Sequence, residues 1–179
     1  KSIAVANMKD SGGVERLTVF ISHPLYGLSY IQPDRKNAKW TDITAGFEML
    51  PTMSDPDEIA DILPVCYVDE TGNTTTEIYL SQSYIPNIYK LDWTNKKALK
   101  IGEKKTTTLD TMDSLFLEGN KLYFVCRNGF ESFDLGTREF GGAPEEAELW
   151  ETLSRLSGRR ALSLYIPQGV TNFSKPVTL

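Results

Sequence analysis

The residues able to do covalent or metal chemistry are few and scattered. There is one histidine, His23, standing before Pro24 in a turn-like setting. A lone loop histidine with no partnered nucleophile reads as a solvated or hydrogen-bonding side chain. The two cysteines, Cys66 and Cys126, sit in apolar, strand-like runs (Pro64 to Val68 and Tyr123 to Cys126) and are expected to be plain core residues. Neither belongs to a C-x-x-C pair, so zinc and dithiol redox roles have no support, and reduced thiols in the cytosol or nucleus are expected. No G-x-S-x-G, H-E-x-x-H or P-loop pattern occurs. The acidic pairs Asp55/Asp57 and Glu145/Glu146 have the placement of helix N-terminal charges. The expectation is a chain that binds and does not catalyse, with no cofactor and no metal.

The pattern best suited to binding is apolar. Leu149, Trp150, Leu153 and Leu156 fall at i, i+1, i+4 and i+7, one stripe of a helix predicted over 144–157. Pro144 suits the first turn, Glu145, Glu146 and Glu148 suit the positive end of the dipole, and Gly158 ends the run. Such a stripe either covers the face of a sheet or docks in a partner's groove. Gly141-Gly142 would let it project, and the partner-binding reading takes these four residues as its anchors. Tyr26, Tyr84 and Arg127 are further candidates beside loops.

The elements that must position these side chains are mostly strands. Leu17–Ser22, 25–31, 40–43, 63–69, 76–81, 87–92, 98–102, 114–117, 121–127 and 130–135 are β-branched or aromatic runs divided by polar turns. Asp55, Pro56 and Glu58 predict a short helix over 56–62 by their capping-box spacing. Ala161–Ile166 reads as a strand, followed by an extended tail. The expected organisation is β-rich repeats over 1–142, the amphipathic helix in 143–158, and a closing strand with its tail in 159–179.

Three stretches share one plan: 28–40, 88–99 and 130–140. Each is an aromatic strand, a polar turn carrying Lys or Arg, and a second strand. Propeller blades of four strands repeat at ~40–50 residues. The expected fold is therefore mainly β, an irregular or partial, kelch-like β-propeller, with a β-sandwich as the alternative.

The bulk numbers exclude other classes. The 179 residues are 40% hydrophobic and 24% charged, with a net charge of −5, so there is no basic face for nucleic acid. No apolar run reaches the ~18 residues of a membrane span. Asn73 and Asn172 head N-x-S/T triplets, which would matter only for an extracellular protein. The chain opens on Lys1 with no signal-peptide pattern, which reads as a piece or processed form of something longer.

Three segments carry a family resemblance: the strand, turn and Trp40 unit at 28–43, Leu91-Asp92 followed by Lys96-Lys97, and Phe116, Leu117, Gly119 with Phe133-Asp134-Leu135. Together they resemble the plant F-box-associated β-propeller domains of the KIB type. Ala98 stands where that family usually has Trp, and the family's F-box is not in this sequence. The resemblance implies a non-catalytic substrate-recognition part of a Skp–cullin–F-box ubiquitin ligase, cytoplasmic or nuclear. It implies a protein partner of the shaggy-like (glycogen-synthase-kinase type) kinase class in brassinosteroid signalling. The competing expectations are an extracellular glycan-binding propeller and a propeller-fold hydrolase.

Overall fold

A computed structural model describes residues 2–23, 27–48, 59–68, 70–83, 86–105, 112–126 and 129–141. These form twelve strands in three four-stranded antiparallel sheets. The first sheet holds β1 (Ile3–Lys9), β2 (Glu15–His23), β3 (Gly27–Ile31) and β4 (Thr41–Ile43). The second holds β5 (Ile59–Val68), β6 (Thr74–Gln82), β7 (Asn87–Asp92) and β8 (Lys97–Glu103). The third holds β9 (Asp113–Glu118), β10 (Lys121–Cys126), β11 (Gly129–Asp134) and β12 (Phe140–Gly141). Every sheet is a meander in which each strand pairs with the next in the chain. Among the described residues there are three sheets, where a sandwich has two.

The sheets stack face to face in chain order, and strand alternation decides which residues meet. Ala4, Met8, Phe20, Leu28 and Ile43 of the first sheet pack on Ile62, Ile78, Leu80, Tyr89 and Leu91 of the second. The residues between those, Tyr79 and Ile88, point the other way and pack on Leu122, Phe124, Cys126 and Phe133 of the third. The second sheet is thus buried on both faces, which is why Ile78 to Gln82 is buried without a break. Gly102 of β8 lies against the third sheet. A Cβ there would lie 2.6 Å from the Phe133 ring.

The first strands share one direction. β5 lies beside both β1 and β9, and their starts are tied together by a buried carboxylate. Asp61 accepts from the Ser2 hydroxyl at 2.7 Å and from the Leu115 backbone N–H at 2.8 Å, so one side chain joins all three sheets. This common direction segregates the connections. The turns that follow the first and third strand of each sheet lie at one end, the turn end. The second strands end, and the third strands begin, at the other, the loop end.

The sequence-level repeat lands on equivalent hairpins: β3–β4, β7–β8 and β11–β12. Each polar turn places one residue in the left-handed region, Asn37 (φ 62°), Lys96 (φ 53°) and Arg138 (φ 64°). In the second and third sheets an Asp closes the turn. Asp92 accepts from the Asn95 backbone N–H at 3.0 Å, and Asp134 from those of Gly136 and Thr137 at 2.8 and 3.0 Å.

Some expectations fail. The helix over 56–62 is replaced, from Ile59 on, by β5. Its register shifts between Ile59 and Asp61, and this bulge puts Ile59 and Ile62 on one face at a helix-like spacing of three. Residues 56–58 lie outside the described residues. Cys126 is buried as expected, but Cys66 is exposed, because β5 and β6 run on past the packed sheets. β1 has no sequence signal because its buried face is Ala4, Ala6 and Met8 while Ile3 and Val5 lie outside. The predicted helix over 144–157, the strand over 161–166 and the units 143–158 and 159–179 lie outside the described residues.

Candidate functional site

None of the seven binding residues read from the sequence is described: Tyr26, Tyr84, Arg127, Leu149, Trp150, Leu153 and Leu156 lie outside the described residues. The strands around three of them are described. Tyr26 falls between β2 and β3, Tyr84 between β6 and β7, and Arg127 between β10 and β11. These are the same connection in each sheet. His23 and Gly27, Ser83 and Pro86, and Cys126 and Gly129 flank them at the loop end. His23 is the half-buried last residue of β2 and pairs with Gly27.

Next to this end lies a polar cluster that sequence reasoning missed. Tyr89 is fully buried, and its hydroxyl donates to Gln82 Oε1 at 2.7 Å. The same hydroxyl accepts from Asn87 Nδ2 at 3.0 Å and from the Glu48 backbone N–H at 3.1 Å. Gln82 Nε2 donates to the Glu48 carbonyl at 2.8 Å, and Asn87 Nδ2 also reaches Glu48 Oε2 at 3.0 Å. Phe47 packs edge-on against the Tyr89 ring. The segment before Glu48 is steered by Gly46 (φ 87°), whose missing Cβ would sit 2.0 Å from the Ala98 carbonyl oxygen. Ala98 N–H donates to the Ala45 carbonyl at 2.8 Å.

Charge collects at the mouth of this cluster. Lys100 Nζ donates to Glu48 Oε1, and to Glu103 Oε2 at 2.8 Å. The hydrogen bond from Lys100, helped by that from Asn87, holds the Glu48 carboxyl below its ordinary range. Glu103 and then Glu48 push the Lys100 ammonium up. Burial raises the Tyr89 phenol, which stays protonated as the donor to Gln82. Among the described residues, Asn87 Oδ1 is buried with no hydrogen-bond partner. Such an arrangement fixes strand ends and presents a charged rim. It contains no activated nucleophile. The sequence signal was the polar cluster of Ser81-Gln82-Ser83 and Asn87 at the ends of otherwise apolar strands. A buried Gln–Asn–Tyr set needs tertiary partners that no local pattern reveals.

Two other clusters are built from the same sheets. Tyr79 donates to Glu77 Oε2 at 2.6 Å, Tyr67 lies 3.3 Å from the Tyr79 oxygen, and Lys90 pairs with Glu77. Burial works to raise the Glu77 carboxyl, but the hydrogen bonds from Lys90 and Tyr79 lower it overall. Burial and then the Glu77 bond push the Tyr79 phenol far up. At the turn end, Lys96 Nζ lies 3.0 Å from the Trp93 ring centroid and 5.6 Å from that of Tyr30. Burial, then the nearby Arg35 charge, lowers its ammonium to about 8. Trp93 itself donates to the Lys9 carbonyl at 2.6 Å, joining the first two sheets.

Among the described residues, no group of three or more His, Cys, Asp or Glu is placed to hold a metal ion. No helix among them is long and apolar enough to cross a membrane. No protein-family model matches the chain, and neither a curated protein nor a solved structure matches it.

Proposed function

We propose that this chain is a non-catalytic recognition module whose sheets are consecutive blades of a β-propeller. Its work is to bind a protein partner as the substrate-receptor part of an F-box ubiquitin ligase. One observation carries the reading. The second strands of the three sheets end at the same end of the stack, at His23, Gln82 and Cys126, where the second sheet carries the Glu48–Lys100–Glu103 rim, and the sequence candidates Tyr26, Tyr84 and Arg127 follow these ends in the chain. Binding residues concentrate on loops held by a rigid scaffold, and aromatic and Arg side chains dominate protein interfaces. The internal repeat at 28–40, 88–99 and 130–140 occupies equivalent places in the three sheets, which also supports it. The partner is a shaggy-like kinase, and the stripe Leu149, Trp150, Leu153 and Leu156 adds a second contact.

A calorimetric titration of this chain with a plant shaggy-like kinase tests the reading. Saturable binding is expected, weakened at least tenfold by Tyr26→Ala with Tyr84→Ala and Arg127→Ala, in a variant that keeps its circular dichroism. A Leu149→Ala/Leu153→Ala variant measures the second contact separately. No heat of binding at any ratio removes the kinase-receptor reading. Binding untouched by the triple loop change removes the loop end as its surface.

A further inference from the structure

β1 and β5 are each the first strand of a sheet, so each has one edge that no strand of its own sheet covers. The two strands lie side by side. The edge of β5 is blunted by Pro64, which has no N–H to offer an incoming strand. The edge of β1 carries no such block.

The hydrogen bonds around β1 show which groups it turns outward. The Ser22 N–H donates to the Ser2 carbonyl and the Asp10 N–H to the Val14 carbonyl, both at 2.9 Å. These two pairs bracket β1 and continue its register with β2, in which Ile3 stands opposite Ile21. Hydrogen-bonded and non-hydrogen-bonded pairs alternate along an antiparallel ladder. Even-numbered residues of β1 therefore bond to β2, and the N–H and C=O groups of Val5, Asn7 and Lys9 point out from the edge. The Lys9 carbonyl fits this, since it accepts from the Trp93 indole of the second sheet at 2.6 Å. Among the described residues, the outward groups of Val5 and Asn7 have no hydrogen-bond partner.

Those groups open into a cleft. A cavity of about 400 Å³ lies between Val5, Ala6 and Asn7 on one side and Cys66, Thr74 and Thr76 of the long β5–β6 hairpin on the other. We infer that this cleft receives an extended peptide segment of a protein partner, which adds a strand to the free edge of β1. Val5 and Asn7 each offer a donor and an acceptor, and the two residues stand about 7 Å apart along the strand. That repeat matches the main chain of another strand, and a compact small molecule would meet only one residue of it. Trp93 already uses the next acceptor of the same row. Glu15 also lines the cleft and favours a guest with a Lys or Arg. The cleft lies toward the turn end, so it is separate from the loop-end surface.

Alkylation of Cys66 in the whole chain reads the occupancy, because Cys66 is exposed in the cleft and Cys126 is buried. The probe is a synthetic hexapeptide of alternating Thr and Val between terminal Lys residues. At saturation it should slow the reaction of Cys66 with a maleimide at least tenfold and protect the Val5 and Asn7 amides from hydrogen exchange. Val5→Pro removes an outward N–H without touching the ladder to β2, and should weaken the peptide at least tenfold. The same peptide with every amide N-methylated makes that test without altering the protein, and should give no protection. No protection by the unmethylated peptide at millimolar concentration overturns the proposal. So does equal protection by the N-methylated one. A Cys66 that resists the maleimide before any peptide is added overturns it too, since the cleft is then filled by the chain itself.

Discussion

The two ends of the sheets are built by different means. At the turn end, the turns themselves close locally: Asp92 and Asp134 accept backbone N–H groups two or three residues on, and Lys96 and Arg138 take the left-handed position, while Trp93 ties the second sheet to the Lys9 carbonyl of the first. Near the loop end, a local set is completed by a distant one: Gln82, Asn87 and Tyr89 bond one another within the β6–β7 hairpin, and Glu48, from the segment after the first sheet, joins all three. The difference teaches where each end draws its stability. A change in a turn's own closing residue should cost what one turn costs, whereas a change to the Tyr89 set should also loosen the Glu48 segment that joins the first two sheets.

Gly46→Ala should have the largest effect. Its left-handed backbone and a Cβ at 2.0 Å from the Ala98 carbonyl oxygen force the 45–48 segment away from β8. A loss of about 3 kcal/mol or more is expected from urea unfolding. A loss near zero would mean that the segment is not anchored there.

Tyr89→Phe comes next. It removes the hydroxyl that serves Gln82, Asn87 and the Glu48 N–H, and should cost about 1–3 kcal/mol. If the set acts as one network, this loss couples with Gln82→Ala in a double-mutant cycle. Additive losses would contradict the network.

Lys96 is the pH test of the turn end. Its folded ammonium lies at about 8, below the 10.5 of the free side chain, so the unfolded state binds more protons between those values. The penalty for the buried charge is complete below pH about 8 and is relieved as pH rises toward about 10.5. Set against a Lys96→Met variant, the wild type should gain stability across that window. The gain should stay below about 1 kcal/mol, because the amine is partly exposed and screened. A constant difference would mean that the faces of Trp93 and Tyr30, which favour the charged form, hold it fully.

The smallest effect belongs to Asp134→Ala. Its carboxyl is held low first by the Thr137 N–H and then by the Gly136 N–H. Its contribution is therefore present above the ordinary carboxylate range and lost as pH falls through the depressed folded value. The wild-type advantage in urea midpoint should be slight at neutral pH and vanish in strong acid. An advantage that persists in acid would assign it to something other than the charged carboxylate.

What the sequence made legible follows the same division. The strand–turn–strand repeats at 28–40, 88–99 and 130–140 were readable because strand alternation and turn chemistry are local. They fall on the third and fourth strands of successive sheets. β1 was not readable, since its buried face is made of small side chains. The start of β5 was misread because its bulge mimics helical spacing. The Gln82–Asn87–Tyr89 cluster was illegible because the partner that completes it, Glu48, is 34 to 41 residues away in the chain. Tyr26, Tyr84 and Arg127 were chosen only as loop neighbours. That they fall in the same connection of each sheet needed the topology.

Hydrogen exchange of this chain, alone and with a saturating shaggy-like kinase, tests the central claim most directly. The account predicts protection at the loop end, in peptides covering His23 to Gly27, Ser83 to Asn87 and Cys126 to Gly129. It predicts none at the turns of Asn37, Lys96 and Arg138. Protection confined to the turn end, or none anywhere, would contradict it.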